Sequence, residues 1–360
     1  MELNFKPFDH NAGFADQRKL FFECFPENTG KPSGSPEHYQ WKFHSVKQDP
    51  ASYEYGAWLG EDMTGYYAAV PYKYNFGKNT YTAGMVCDVM TGVKARGKGV
   101  FTKLGIYALD QMRLAGLDFT TGYPIRPEVI PGHIKAGWKI VTTMPIYIKV
   151  LKTNSILKSK KIGFLSPAGN LGAFLYNQAI SVFSGGSGYE IELLNTRQFL
   201  SLGDEYAAFL KKWLKSVNYG LVKDVEFLKW RLGAPAAEYQ FAVARDSKNQ
   251  CVGVCITRKT ELEKIPALAL MDIMILPGHR KVFKKITRTL SRLARSEKCE
   301  IIAGMIQTLW ARNYWMKSSG FIKSPYIFSL IVKKLNIHIH DSDLFAPGNW
   351  HVMWIDSDDL

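Results

Sequence analysis

Residues Val86–Gly105, VCDVMTGVKARGKGVFTKLG, change pattern twice within one short stretch. Val86 to Thr91 is β-branched or apolar at most positions, with one acid, Asp88, and reads as a strand. Arg96-Gly97-Lys98-Gly99 is too rich in glycine to continue either regular structure. Val100, Phe101, Leu104, Tyr107, Ala108, Leu109 and Met112 then recur every three or four residues, which predicts a helix with one buried face. A strand that feeds a helix through such a loop leaves backbone N–H groups free at the helix start. Those donors, the positive end of the helix dipole and the flanking cations suit an anion, most naturally a diphosphate. The competing reading is a tight strand-to-helix turn whose glycines serve geometry alone.

Two common phosphate loops, GxxxxGK[ST] and GxGxxG, do not fit Ala95-Arg-Gly-Lys-Gly-Val-Phe101. The segment resembles the acyl-CoA loop of the GNAT superfamily of N-acyltransferases, Arg/Gln-x-x-Gly-x-Gly/Ala. Arg96 and Gly99 stand in the first two defined places, and Phe101 stands where Gly or Ala is usual. Asp88 lies where the superfamily often carries an acid, and His133-Ile-Lys-Ala-Gly137-Trp138 is similar to its Tyr-x-x-x-Gly-Phe segment. The resemblance implies acetyl-CoA, or another acyl-CoA, as cosubstrate and no metal. It would be held by Met90, Thr91, Arg96, Gly97, Lys98, Gly99, Val100, Phe101 and Lys103.

At 360 residues, with 46% apolar and 22% charged residues, the chain has the composition of an ordered protein with room for two cores. No apolar run reaches membrane-spanning length and the N-terminus lacks a hydrophobic leader core, so a soluble, cytoplasmic protein is expected. Five dispersed cysteines argue for reduced thiols, and Cys251 and Cys255 would share one strand face as small core residues. The net charge of +14 favours polyanionic partners without choosing among them. The charged helix expected at 280–295 carries Lys281, Lys284, Lys285, Arg288, Arg292 and Arg295 opposite an apolar face. A nucleic-acid face is one reading and a solvated helix face the plainer one, since no nucleic-acid motif accompanies it.

The second half repeats the first. Glu37-x-x-x-Trp41-Lys42-Phe43 recurs as Glu226-x-x-x-Trp230-Arg231-Leu232, Asp88-Val-Met as Asp272-Ile-Met, Val100-Phe-x-Lys-Leu as Val282-Phe-x-Lys-Ile, and Gly137-Trp138 as Gly320-Phe321. Between the acid and the helix the second copy is two residues shorter, with Arg280-Lys281 in place of Arg96-Gly-Lys-Gly99. The expected fold class is therefore α/β (α+β): two tandem GNAT-like domains, each a mixed, largely antiparallel sheet flanked by helices. Residues 1–151 would form the acyl-CoA-binding domain and 152–189 a linker with its own helix and a flexible Gly185–Gly188 joint. Residues 190–335 would form a degenerate second domain, and 336–360 a tail with two strand-like pieces.

Acyl transfer to an amine needs a base for the ammonium, stabilisation of the thioester oxyanion and an acid for the leaving thiolate. Asp88 is the candidate base, although Asp272 at the equivalent place favours a structural role for both. His133, where the superfamily often has its thiolate-protonating tyrosine, is the candidate acid; Met316 stands there in the second copy. Tyr123 is a further acid, and the resemblance also allows the C-terminal carboxylate as base. His338, His340, Asp341 and His351 do not make a metal site, because nothing fixes a full ligand set. The resemblance suggests a small-molecule amine acceptor, such as an amino sugar, sugar nucleotide or polymer precursor, with a monomer or homodimer as the acting species. The alternative is a non-catalytic binder of an anionic polymer or nucleic acid on the same scaffold.

Overall fold

The computed structural model describes residues 2–77, 79–182, 188–336 and 338–358. In chain order the first part comprises β1 (Leu3–Pro7), α1 (His10–Cys24), α2 (Pro36–His44), β2 (Tyr53–Leu59), β3 (Asp62–Phe76), β4 (Asn79–Thr91), α3 (Val100–Leu114), β5 (Phe119–Gly122), α4 (Ile130–Lys135) and β6 (Lys139–Val150). Helices α5 (Asn154–Ser159) and α6 (Ser166–Val182) follow. The second part comprises β7 (Glu190–Asn195), α7 (Thr196–Leu200), α8 (Gly203–Leu214), β8 (Tyr219–Leu221), α9 (Val225–Arg231), β9 (Tyr239–Arg245), β10 (Cys251–Leu262), β11 (Ile265–Ile275), α10 (Val282–Ser296), β12 (Ile301–Met305), α11 (Thr308–Asn313) and β13 (Ile322–Lys334). The tail adds α12 (Asp341–Leu344) and β14 (Trp350–His351).

The main sheet runs β1-β2-β3-β4-β5-β13-β6-β12-β11-β10-β9-β7. That order is a palindrome of the repeat. Strands β1 to β5 mirror β7, β9, β10, β11 and β12, and the two sixth strands have changed places at the centre. Strand β13 lies beside β5, with Ile331 opposite Gly122, while β6 lies beside β12. The result is one continuous, mostly antiparallel sheet rather than the two separate sheets expected. Exchange leaves neither half with an open edge at the junction, where exposed strand N–H and C=O groups would otherwise seek partners. On the main path, the parallel pairs are β4–β5 and β11–β12, one in each half.

The repeated tryptophans meet near this centre. The rings of Trp41 and Trp230 stack at 5.5 Å between centroids with planes 13° apart. The Trp41 indole N–H donates to the Trp230 carbonyl at 2.6 Å, and Trp230 returns the bond to the Trp41 carbonyl at 2.9 Å. Equivalent residues bonded reciprocally are what an internal two-fold relation produces.

The tail departs from expectation. The Asn336 side chain donates to Asp118 and accepts from the His338 N–H, and among the described residues of the tail Trp350–His351 is the one strand. Trp350, Trp354, Ile355 and Asp356 are buried in the core. His351 is also buried, its Nε2–H directed at the Ile273 carbonyl (3.1 Å) and its ring against Trp213 and Trp310, which accounts for it structurally. All five cysteines are free and buried. Among the described residues no helix is long and apolar enough to cross a membrane. Residues 185–187 of the expected joint and the carboxylate of Leu360 lie outside the described residues.

Replacing Trp41 by Ala should cost about 3 kcal/mol of stability through lost ring packing and the lost indole bond to the Trp230 carbonyl. In a urea double-mutant cycle with Trp230→Ala the two losses should be strongly non-additive. Additive losses would mean that the two rings are energetically independent.

Candidate active site

Strand β4 leaves its neighbours at Asp88. Its register on β3 slips between Cys87 and Met90, and Asp88 takes the left-handed value φ 48° at the bulge. On its other side β4 pairs with β5 only from Ala83 to Val86. Beyond Val86 the parallel strands part, and Asp88 and Val89 border a cavity of about 650 Å³. Met90 points into the core, leaving only its main chain to meet a ligand.

The chain then turns through Val93–Ala95 and the two glycines, both left-handed, Gly97 at φ 74° and Gly99 at φ 76°. No heavy atom lies within 4 Å of a Cβ built on Gly97, and Gly99 would meet only the Lys103 side chain, so the space before the loop is open. Among the described residues, the N–H groups of Gly97, Gly99, Val100, Phe101 and Thr102 have no acceptor within the chain. The first intrahelical bond comes from Lys103 to Gly99. Arg96, Lys98 and Lys103 are exposed around these donors, although Arg96 Nε also reaches the Thr91 carbonyl at 3.3 Å. The equivalent turn in the second half is closed. Gly278 makes the bend at φ 87°, and the Val282, Phe283 and Lys284 N–H groups donate to His279, Arg280 and Lys281. The contrast lies at the helix starts: the Val100, Phe101 and Thr102 N–H groups are free, whereas those of Val282, Phe283 and Lys284 are bonded within their own turn.

The three candidate catalytic side chains all line the same cavity. Asp88 is paired, its carboxylate 2.9 Å from Lys42 Nζ, which is also 2.8 Å from Asp358 of the tail. Burial opposes the Lys42 charge, but Asp358 and Asp88 outweigh it and hold the ammonium protonated. Tyr123 is buried with its hydroxyl 3.3 Å from that of Tyr74, and burial raises its pKa well above the usual phenol value. His133 is buried between the rings of Phe101 (5.0 Å) and Trp138 (5.2 Å), and burial alone lowers its pKa to about 4. It is therefore neutral at pH 7. The near-neutral imidazolium expected from sequence is absent, because no carboxylate stands by to hold the charge. Phe101, the departure from the loop pattern, is accommodated by Gly132, where a Cβ would come within 2.6 Å of its ring.

The pattern reading missed Lys42 and Asp358, and also Arg18, Arg231 and Arg258, which reach the same cavity from α1, α9 and β10. A cation flanked by Trp41 and Phe43 on an apolar helix face was the available signal for Lys42. Nothing local marks Asp358, which lies 316 residues from its partner.

Residues 11–141 match the family model of an acetyltransferase (GNAT) domain. Comparison with curated proteins gives no match. Among solved structures, a conserved protein of Enterococcus faecalis V583, named as a probable N-acyltransferase, superposes with a TM-score of 0.65 at 13% identity, over 94% of this chain and 74% of that one. A GCN5-related N-acetyltransferase of Anabaena variabilis gives 0.65 at 11% identity over 93% and 74%. Another from Kribbella flavida gives 0.61 at 12% over 93% and 71%. These likenesses carry the fold across both halves, and the family match lies within the front half, over residues 11–141.

Proposed function

We propose that the protein transfers an acyl group, acetyl first of all, from acyl-CoA to a primary amine, binding the thioester in its front half only. The observation that carries this reading is the set of five unpartnered N–H groups at Gly97 to Thr102, where the first N–H groups of the rear helix, Val282 to Lys284, are bonded within their own turn. The donors suit the diphosphate of CoA, with Lys98 and Lys103 adding charge. The free edge of β4 beyond Val86 would receive the extended arm of the cosubstrate. The rear half, as the degenerate partner of a tandem pair, supplies one wall of the acceptor cavity.

Within the cavity Asp88 is the group suited to take a proton from the acceptor ammonium, directly or through water, because it borders the cavity and Lys42, itself fixed by Asp358, orients it. Tyr123 is the better placed acid: its phenol is held protonated by burial, whereas His133 is neutral and serves as a shaped wall and a neutral donor. The cations Arg18, Arg231 and Arg258 on the cavity wall favour an acceptor that carries an acidic group, as an amino sugar nucleotide or a phosphorylated polymer precursor does.

Gly99→Glu puts a carboxylate where the diphosphate belongs and should weaken acetyl-CoA binding at least 100-fold in a calorimetric titration. Lys281→Glu, which alters the rear loop, should leave it unchanged. Equal losses in the two variants, or none, would remove the front-loop assignment.

Asp88→Asn should lower kcat by about 10²-fold or more with little change in the KM for acetyl-CoA. Asp272→Asn, the same change in the rear half, should lower stability while the folded fraction keeps its kcat. A Tyr123→Phe enzyme with wild-type turnover would exclude the phenol as acid.

His133 also sets a pH dependence. Its folded pKa of about 4 lies below the unfolded value near 6.5, so the stability it confers is present above pH 6.5 and is lost as the pH falls toward 4. Between pH 7 and pH 5 that loss should be about 2 kcal/mol for this group. Urea unfolding of His133→Ala should show a correspondingly shallower acid slope than wild type.

A further inference from the structure

From Glu128 to Glu190 the sequence contains no acidic residue between those two, yet it contains Lys152, Lys158, Lys160 and Lys161, all exposed. This stretch folds as α5, a turn and α6, laid over the second half. One side of α6 is pinned. The Asn177 side chain donates to the Val150 carbonyl at 2.8 Å, and the Asn170 side chain accepts from the Thr153 N–H at 2.7 Å. The other side is apolar and bare: Leu171, Phe174 and Leu175 follow at helical spacing, each at least half exposed, and Phe164 in the preceding turn is 79% exposed.

Helix α10 runs alongside. Lys284, Arg288, Arg292 and Arg295 face Phe174 and Gln178 of α6 across a groove of about 220 Å³ with no carboxylate on its walls. Lys149 at its floor is pushed down to about 8, chiefly by burial and then by Arg295. Glu300 is buried and bonded to Ser155 of α5.

We propose that the outer face of α5–α6, together with the basic groove against α10, docks the protein on an anionic lipid bilayer. Apolar side chains ringed by cations are the pattern of a helix lying in the interface plane, with phenylalanine and leucine among the acyl chains and lysine and arginine among the headgroup phosphates. Each cation brought to such a surface contributes about fivefold in partitioning. The helix lies on the bilayer and does not span it, since its other side carries buried Asn177 and the bonded Asn170. Charge decides against a second copy as the occupant. A two-fold pairing of this face would set one acid-free basic groove against another. Helix α10 alone would be a solvated face; the bare apolar side of α6 beside it is what requires a non-aqueous partner.

The test is sedimentation of the full-length protein with vesicles of equal parts phosphatidylglycerol and phosphatidylcholine, against vesicles of phosphatidylcholine alone, at moderate salt. Binding should be at least tenfold greater on the anionic vesicles and fall to background in high salt. Leu171→Ser with Phe174→Ser, and separately Arg292→Glu with Arg295→Glu, should each reduce it tenfold or more. Arg113→Glu with Lys248→Glu, an equal charge change at exposed sites outside this groove, should retain it. Phe164→Ser, at the most exposed position, gives a second apolar variant whose thermal melt should match wild type. Failure to prefer anionic vesicles, or equal losses in the control pair, would overturn the proposal. So would a dimer in sedimentation velocity that Leu171→Ser with Phe174→Ser dissociates, which would give this face to a second copy.

Discussion

Two buried lysines hold the molecule's centre, each between one carboxylate from a bulged strand and one from the tail. Lys42 pairs with Asp88 of β4 and with Asp358; Lys223 pairs with Asp272 of β11 at 2.9 Å and with Asp356 at 3.3 Å. An ammonium moved from water into a protein core costs several kcal/mol unless opposite charge meets it, and removing one partner of such a group costs about 3–5 kcal/mol. The tail therefore cannot leave either half without taking one of the two carboxylates from its buried lysine. Its aromatic residues Trp350 and Trp354 are buried in the core, so packing and charge fix one path for the chain end.

The two clusters are alike in composition and unlike in wetness. The rear set is fully buried. Burial, with the like charge of Asp272 adding to it and Lys223 opposing it, raises Asp356 to about 6. The front set opens on the cavity, with Asp358 one-quarter and Asp88 about one-eighth exposed. A carboxylate that touches water can exchange protons with a ligand; one sealed away can only brace the fold. The recurrence of the acid in both halves and its chemical use in one are thus compatible.

Some of this was legible in the residues. The 189-residue offset between Trp41 and Trp230 is the same pair that stacks, and the doubled glycine is where the free donors lie. The strand exchange was not legible. Alternating apolar residues in β6 and β13 specify a buried face but not which neighbour supplies the hydrogen bonds, and both strands would read identically if kept at home. Nor were the lysine clusters, which join groups up to 316 residues apart and depend on how the tail returns. The tail's NIHIH alternation reads as a strand, yet the Asn336 side chain donates to Asp118 and accepts from the His338 N–H, and a local side-chain bond of that kind competes with a ladder.

The two turns differ through two residues. Gly97 and Gly99 can both turn left-handed, which swings the next amides outward; Arg280 and Lys281 resist that conformation, and the shortened turn closes on itself through bonds three residues apart. The second copy nonetheless completes the front cavity. Through the exchange, Ile331 of β13 packs against Gly122, where a Cβ would come within 3.1 Å of it, and this forms part of the cavity wall. Arg231 and Arg258 reach that cavity from α9 and β10, and Asp358 follows the second half in the chain. The front half alone would present an open sheet edge at β5, a Lys42 left with Asp88 but without Asp358, and a cavity with one side missing. The constraint that keeps the second copy is therefore structural completion of the first.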